Sequence, residues 1–104
     1  MIDSMRQLPP RIDTLAWDDW NLDHIAKHAV TKAEVEEVIA SEAIYRASYK
    51  NRIAVTGPTQ AGWMLTIIIG ESPRQAHLYY VFSARPASHI ERRDYQVERG
   101  GSVP

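Results

Sequence analysis

The sequence predicts an α+β domain: a small antiparallel sheet of three to four strands, with two N-terminal helices and one C-terminal helix. Three observations lead there. Two capping boxes, Thr31 with Glu34 and Ser88 with Glu91, mark helix starts at well-separated points. Between them, from about Ala43 to Ser83, helical spacing gives way to β-branched and apolar runs divided by turn residues. The links between those runs are shorter than the crossover of about a dozen residues that parallel neighbours need, so antiparallel pairing follows. The helices are then expected on one face of the sheet.

Taken in order, residues 1–13 carry Pro9-Pro10 and no periodicity, and read as a flexible arm. Thr14 to Trp17 is a short candidate strand. Asp18 or Asp19 is a good N-cap for a helix from about Trp20 to His28, with Leu22, Ile25, Ala26 and Ala29 as its apolar stripe. Thr31 caps the next helix, Lys32 to about Ala40. Val30 and Val35 stand where a hydrophobic staple would hold them, Val38 and Ile39 continue the buried stripe, and Glu36 and Glu37 point outward.

Ala43–Ser48 and Arg52–Gly57 read as strands joined tightly at Tyr49-Lys50-Asn51, and Gly57 to Gly62 is a turn by composition. Trp63–Ile69 has the composition of a central strand, and His77–Ser83 is the next one. Pro86 excludes Arg85 from helical geometry and ends that strand. Ser88 opens the last helix, which stops before Gly100-Gly101. A single domain over 14–99 and a tail at 100–104 result, since 104 residues suffice for one core of roughly 100–150 residues and not two.

Composition excludes several classes. Hydrophobic residues make up 44% and charged residues 24%, as in an ordinary globular chain. The longest apolar run, Met64 to Ile69, is broken by Thr66 and falls far short of the ~20 residues of a membrane span. Pro9-Pro10 interrupts the place of a signal peptide. Without cysteine there is no disulfide framework, thiolate zinc site or cysteine nucleophile. The expectation is a soluble, cytoplasmic domain with no membrane partner.

The net charge of −1 conceals an uneven distribution. From Arg11 to Glu42 three bases face eight acids, a net −5; from Ala43 to Pro104 eight bases face four acids, a net +4. Seven of those eight bases are arginine, whose planar fork grips phosphate or carboxylate in two places. That pattern fits a local anionic site, or a solvated surface whose halves attract each other.

His24 and His28, four apart on a helix, share a face. A zinc site wants three or four ligands and none other lies near in sequence, so no metal and no cofactor is expected; either histidine can instead act as general acid or base. Arg85, Arg92 and Arg93 cluster with Glu91 around the start of the last helix, where unpaired backbone N–H groups also attract anions. Tyr95 lies four residues after Glu91 on the same face. The alternative is a surface helix laced with ion pairs. Arg52, with Lys50 and the interleaved Tyr45, Tyr49, Trp63, Tyr79 and Tyr80, fits either single-stranded RNA binding or ordinary cross-strand packing.

Trp17-Asp18-Asp19-Trp20-Asn21-Leu22-Asp23-His24-Ile25-Ala26-Lys27-His28, followed by Val30 and Glu34-Val35-Glu36-Glu37-Val38, resembles the opening of BrnT-type toxins. The similarity continues in Arg52 ahead of Gly57-Pro58-Thr59 and Gly62. It ends in Ser83-Ala84-Arg85-Pro86-Ala87-Ser88 and Glu91-Arg92-Arg93-Asp94-Tyr95, similar to the family's S-A-R-x-A-x-x-x-E-R-x-x-Y signature. The chain departs from the family pattern at Ala29, usually glycine, and at Pro58 and Trp63, where arginine is common.

The resemblance implies a RelE-like fold and the toxin of a type II toxin–antitoxin pair. Such a toxin is a metal-independent endoribonuclease that cleaves RNA, inhibits translation, is neutralised by a ribbon-helix-helix antitoxin, and reaches DNA only through the antitoxin complex. On that basis Arg85 and Arg92 are expected to clamp phosphate, His28 or Glu91 to transfer the proton, and Lys27, Arg52 and Tyr95 to bind substrate. The alternative is a catalytically weak or inactive BrnT-like module that uses the same arginines to hold an acidic protein.

Overall fold

All three helices begin at side-chain caps. The chain is represented by a computed structural model that describes the backbone of residues 6–7 and the whole of residues 9–100. Helix α1 (Asp19–Ala26) is capped by Asp18, α2 (Lys32–Ala40) by Thr31 and α3 (His89–Arg99) by Ser88, each with a reciprocal capping box. In α1 the third helical residue is Asn21. Its side chain accepts from the Asp18 N–H and donates to the Ala16 carbonyl, and it is fully buried. That stripe therefore differs from the expected one: Ile25 is buried, whereas Leu22, Ala26 and Ala29 are exposed.

Helix α1 closes with Ala29 N–H donating to Ala26 O at 2.9 Å and Val30 N–H to Ile25 O at 3.2 Å, while Ala29 takes φ 59°. This is a Schellman-type ending, whose left-handed residue is ordinarily glycine. Val30 thereby drops into the core beside Ile25 and Val35.

The strands are β1 (Arg6–Gln7), β2 (Thr14–Ala16), β3 (Ile44–Ala47), β4 (Ile53–Pro58), β5 (Met64–Glu71) and β6 (Leu78–Pro86), in the order β1-β3-β4-β5-β6-β2. The α+β class stands, but the sheet is larger and mixed, with five strands of three residues or more and the two-residue β1 at one edge. Strand β2 pairs parallel with β6, Leu15 opposite Tyr79. Short links between consecutive strands do not constrain that pair, because everything from α1 to β5 intervenes between the two strands. Of the expected arm, residues 1–5 and 8 lie outside the described residues, as does the tail beyond Gly100. Arg6–Gln7 pairs with β3, and Ile12 packs against the core.

The β3–β4 link places both Lys50 (φ 56°) and Asn51 (φ 62°) in the left-handed region, with Arg52 N–H donating to Tyr49 O at 3.1 Å. Two such residues make a turn of the primed kind, which matches strand twist. In β6 a bulge opposes Ile68 to Ser83 and Ile69 to Val81, which lets both Val81 and Ala84 face the core.

The helices occupy both faces of the sheet, not one. Val55, Ile67 and Ala84 face each other in register and meet α1 and α2 through Ile25, Val35 and Val38. The next row, Thr56, Thr66 and Arg85, points to the opposite face, where α3 lies against β3 and β4. Helix α3 is held there by charge: Arg46 pairs with Glu98 and lies 3.9 Å from Asp94, and Arg99 pairs with Glu42. Its apolar residues Ile90 and Val97 face solvent. No helix among the described residues is long and apolar enough to cross a membrane.

Ala29 carries a side chain in a conformation that costs about 1–2 kcal/mol per non-glycine residue. Ala29→Gly should therefore stabilise the fold by up to about 1 kcal/mol once the entropy of a more flexible unfolded chain is offset. Urea denaturation of the two proteins measures this as a higher midpoint at unchanged slope.

Candidate functional site

The end of β6 and the start of α3 are joined by one carboxylate. Arg85 Nη1 and Nη2 donate to Glu91 Oε1 and Oε2 at 2.7 and 2.8 Å, a two-point fork. Glu91 Oε1 also accepts from the Ser88 N–H at 2.8 Å and from the Thr66 hydroxyl at 2.9 Å. Thr66 spends its single proton on Glu91, so in the 2.8 Å contact between the two threonine hydroxyls Thr56 is the donor. Thr66 is fully buried in the middle of β5, where a hydroxyl without a partner would be costly.

These donors hold the Glu91 carboxyl down to about 2, the Arg85 fork contributing most and the Ser88 N–H and Thr66 hydroxyl adding to it against partial burial. Arg85 is raised in turn by its bond to Glu91. Glu91 is therefore an anion throughout the physiological range, which suits a clamp and not a proton donor. Of the two expected proton-transfer groups, it is the one whose oxygens are already engaged by Arg85, Ser88 and Thr66.

Arg92 donates from Nη1 to the Ala87 carbonyl at 2.9 Å, and Arg85 Nη1 lies 3.3 Å from the Pro86 carbonyl. Both guanidiniums thus flank the same two residues. Among the described residues Arg92 has no carboxylate partner, whereas Arg85 is paired with Glu91.

His28 sits across the sheet end from them. It lines a pocket of about 210 Å³ together with Val30, Glu34, Trp63, Leu65 and Pro86. Pro86, next to Arg85 in sequence, borders this pocket, but no hydrogen bond or ion pair joins His28 to Arg85, Glu91 or Arg92 among the described residues. Its ring lies edge-on to that of His24, centroids 6.4 Å apart, and His24 in turn stacks on Trp20 at 4.7 Å. Lys27 is exposed at the end of α1. No group of three or more metal-capable side chains occurs among the described residues.

Arg52 lies towards the opposite end of the strands. It precedes Ile53, which faces Ile69, whereas Arg85 faces Thr66. That is four residues, on the order of 13 Å at roughly 3.3 Å each. Its guanidinium stacks 3.5 Å over the Phe82 ring centroid and 5.4 Å from that of Tyr49, which holds a cation through ring faces instead of a carboxylate. Tyr95 is half-buried on α3 and makes no side-chain hydrogen bond among the described residues.

Sequence reasoning brought together Arg85, Glu91 and Arg92. It missed Thr66, Thr56, Glu34 and the environment of Trp63. A threonine inside an otherwise apolar strand was the available signal for the first. Comparison with protein-family models, with curated proteins and with solved structures finds no match for this chain.

A carboxyl lowered on folding stabilises the protein above its ordinary value near 4.5 and loses that contribution as pH falls towards about 2. The contribution is on the order of 1–2 kcal/mol after solvent screening of a pair that water reaches. Glu91→Gln should flatten the loss of stability between pH 4.5 and pH 2.5, as read from urea midpoints at each pH.

Proposed function

We propose that this chain is a BrnT-like toxin of a type II toxin–antitoxin pair, a metal-independent endoribonuclease that inhibits translation and is neutralised by a ribbon-helix-helix antitoxin. The observation that carries this reading is the convergence of Arg85 and Arg92 on the Pro86 and Ala87 carbonyls, with Arg85 held by the Glu91 carboxylate. An RNA phosphodiester reaching this junction replaces Glu91 on the Arg85 fork, exchanging one anion for another, while Arg92 supplies a second cation that pairs with no carboxylate among the described residues.

In the reaction the 2′-OH attacks the adjacent phosphorus. The 2′-O–P bond forms, the P–O5′ bond breaks, and the products carry a 2′,3′-cyclic phosphate and a 5′-OH. One proton leaves the 2′-OH and one reaches the 5′-oxygen. Charge gathers on the phosphorane oxygens between these steps, and fixed guanidinium donors are most effective at that point. His28, which lines the pocket on the other side of Pro86, is the candidate proton carrier, since an imidazole can both accept and donate a proton. Arg52 lies on the order of 13 Å further along the strands, with the turn cation Lys50 beyond it, an offset suited to a phosphate further along the same RNA strand. Lys27 and Tyr95 remain substrate-binding candidates, the site of action is the cytoplasm, and DNA is reached through the antitoxin complex.

A second reading is supported by the Arg85–Glu91 fork itself. With that arginine already engaged, the junction is also suited to a protein-binding module that holds an acidic partner through Arg92 and Arg93 and performs no chemistry.

Incubation of the purified chain with RNA in EDTA separates the two. The ribonuclease reading expects fragments ending in 2′,3′-cyclic phosphate, and Arg85→Ala or Arg92→Ala should each lower the cleavage rate by roughly 10²–10³-fold, as loss of one positioned donor does. RNA that stays intact with the parent protein rejects the enzyme and leaves the module.

A further inference from the structure

We infer that the pocket between Trp63 and His28 is a nucleobase subsite that takes a base bearing an exocyclic amino group. The inference rests on the reading of RNA as the ligand and concerns a different part of the surface from the arginines. Trp63 is 68% exposed, an unusual position for the largest apolar side chain.

Its backbone is fixed. Trp63 N–H donates to Thr59 Oγ1 at 3.1 Å, Thr59 N–H to Trp63 O at 2.8 Å, and Gly62 N–H to Thr59 O at 3.0 Å, with Gly62 at φ 93°. The turn is tied to α2 as well, through Gln60 N–H and Glu37 Oε1 at 3.1 Å. An indole held out to solvent on a pinned turn loses little freedom when a planar ring stacks on it.

The remaining walls suit a heterocycle. Val30, Leu65 and Pro86 make the pocket mostly apolar, and its volume of about 210 Å³ is below the roughly 300 Å³ at which drug-sized sites begin. One ring system fits, not two. The polar groups at its rim are His28 and Glu34. Glu34 Oε1 accepts from the Thr31 N–H at 2.9 Å, which orients the carboxylate; no hydrogen bond reaches Oε2 among the described residues. A carboxylate oxygen only accepts, so its complement is an N–H donor. The amino groups of adenine, cytosine and guanine provide one, whereas uracil offers only its N3–H, flanked by two carbonyl oxygens that a carboxylate repels. A strand whose base enters this pocket past Pro86 has its adjoining phosphate at the Arg85–Arg92 junction.

The experiment uses fluorescently labelled 2′-O-methyl pentanucleotides of A, C or U, which bind but cannot be cleaved, read by fluorescence anisotropy. The A and C pentamers should bind more tightly than U. Trp63→Ala should weaken them tenfold or more, the scale of one lost base stack, and Trp63→Phe should retain most of the affinity. Glu34→Gln keeps the capping box and should bring A and C towards U. Equal affinity of the parent and Trp63→Ala for every pentamer, or no binding at all, overturns the inference. Failure of cleavage with Trp63-dependent binding intact would remove only the catalytic reading. Cleavage that persists beside Trp63-independent binding would remove only this one.

Discussion

The ionised carboxylate of Glu91 is the point through which the sheet's second face is organised. It closes the capping box of α3, receives the fork of Arg85 from β6 and accepts the Thr66 hydroxyl from β5, which is itself backed by Thr56 on β4. Three adjacent strands and one helix therefore meet at one anion. The pair is accessible enough to be screened, so its importance is geometric more than energetic. It decides where α3 starts, and therefore where Arg92 points.

The two faces of the sheet are built by different physics. On the α1–α2 face, Ile25, Val35, Val38, Val55, Ile67, Ile69 and Val81 are essentially inaccessible to water, each contributing roughly 1.5–3 kcal/mol of burial. On the other face α3 has little apolar surface to bury, and it docks through Arg46, Glu98, Asp94, Arg99 and Glu42. The polar side is turned inward towards charged and hydroxyl partners, and Ile90 and Val97 are left outside. The acidic and basic halves of the chain meet chiefly through the apolar core; among the described residues Arg99 pairs with Glu42 across them, and the Tyr80 hydroxyl donates to Asp18.

Where the two faces end, at Pro86, the arginine junction and the Trp63 pocket become neighbours without merging. Arg85 belongs to the α3 side and His28 to the α1–α2 side. A residue-by-residue alternation along β6 produces this separation: Arg85 and Pro86 are consecutive and so point to opposite faces. Any ligand that uses both must wrap the end of the sheet.

By itself the amino-acid order determined the local elements. The caps at Asp18, Thr31 and Ser88, the turn at Lys50-Asn51 and the β-rich run through Ile67 depend on neighbours a few residues away, and such short-range preferences can be read from a single chain. The grouping of Arg85, Glu91 and Arg92 was legible for the same reason, since all three lie within eight positions. Only the tertiary structure decided the parallel edge strand β2, the helix on the far face, the separation of His28 from the arginines, and the distance of Arg52. Each depends on which strands lie side by side and which face a side chain meets after the β6 bulge. Contacts between residues as distant as Thr14 and Leu78 are settled by packing of the whole chain, and no local pattern encodes them.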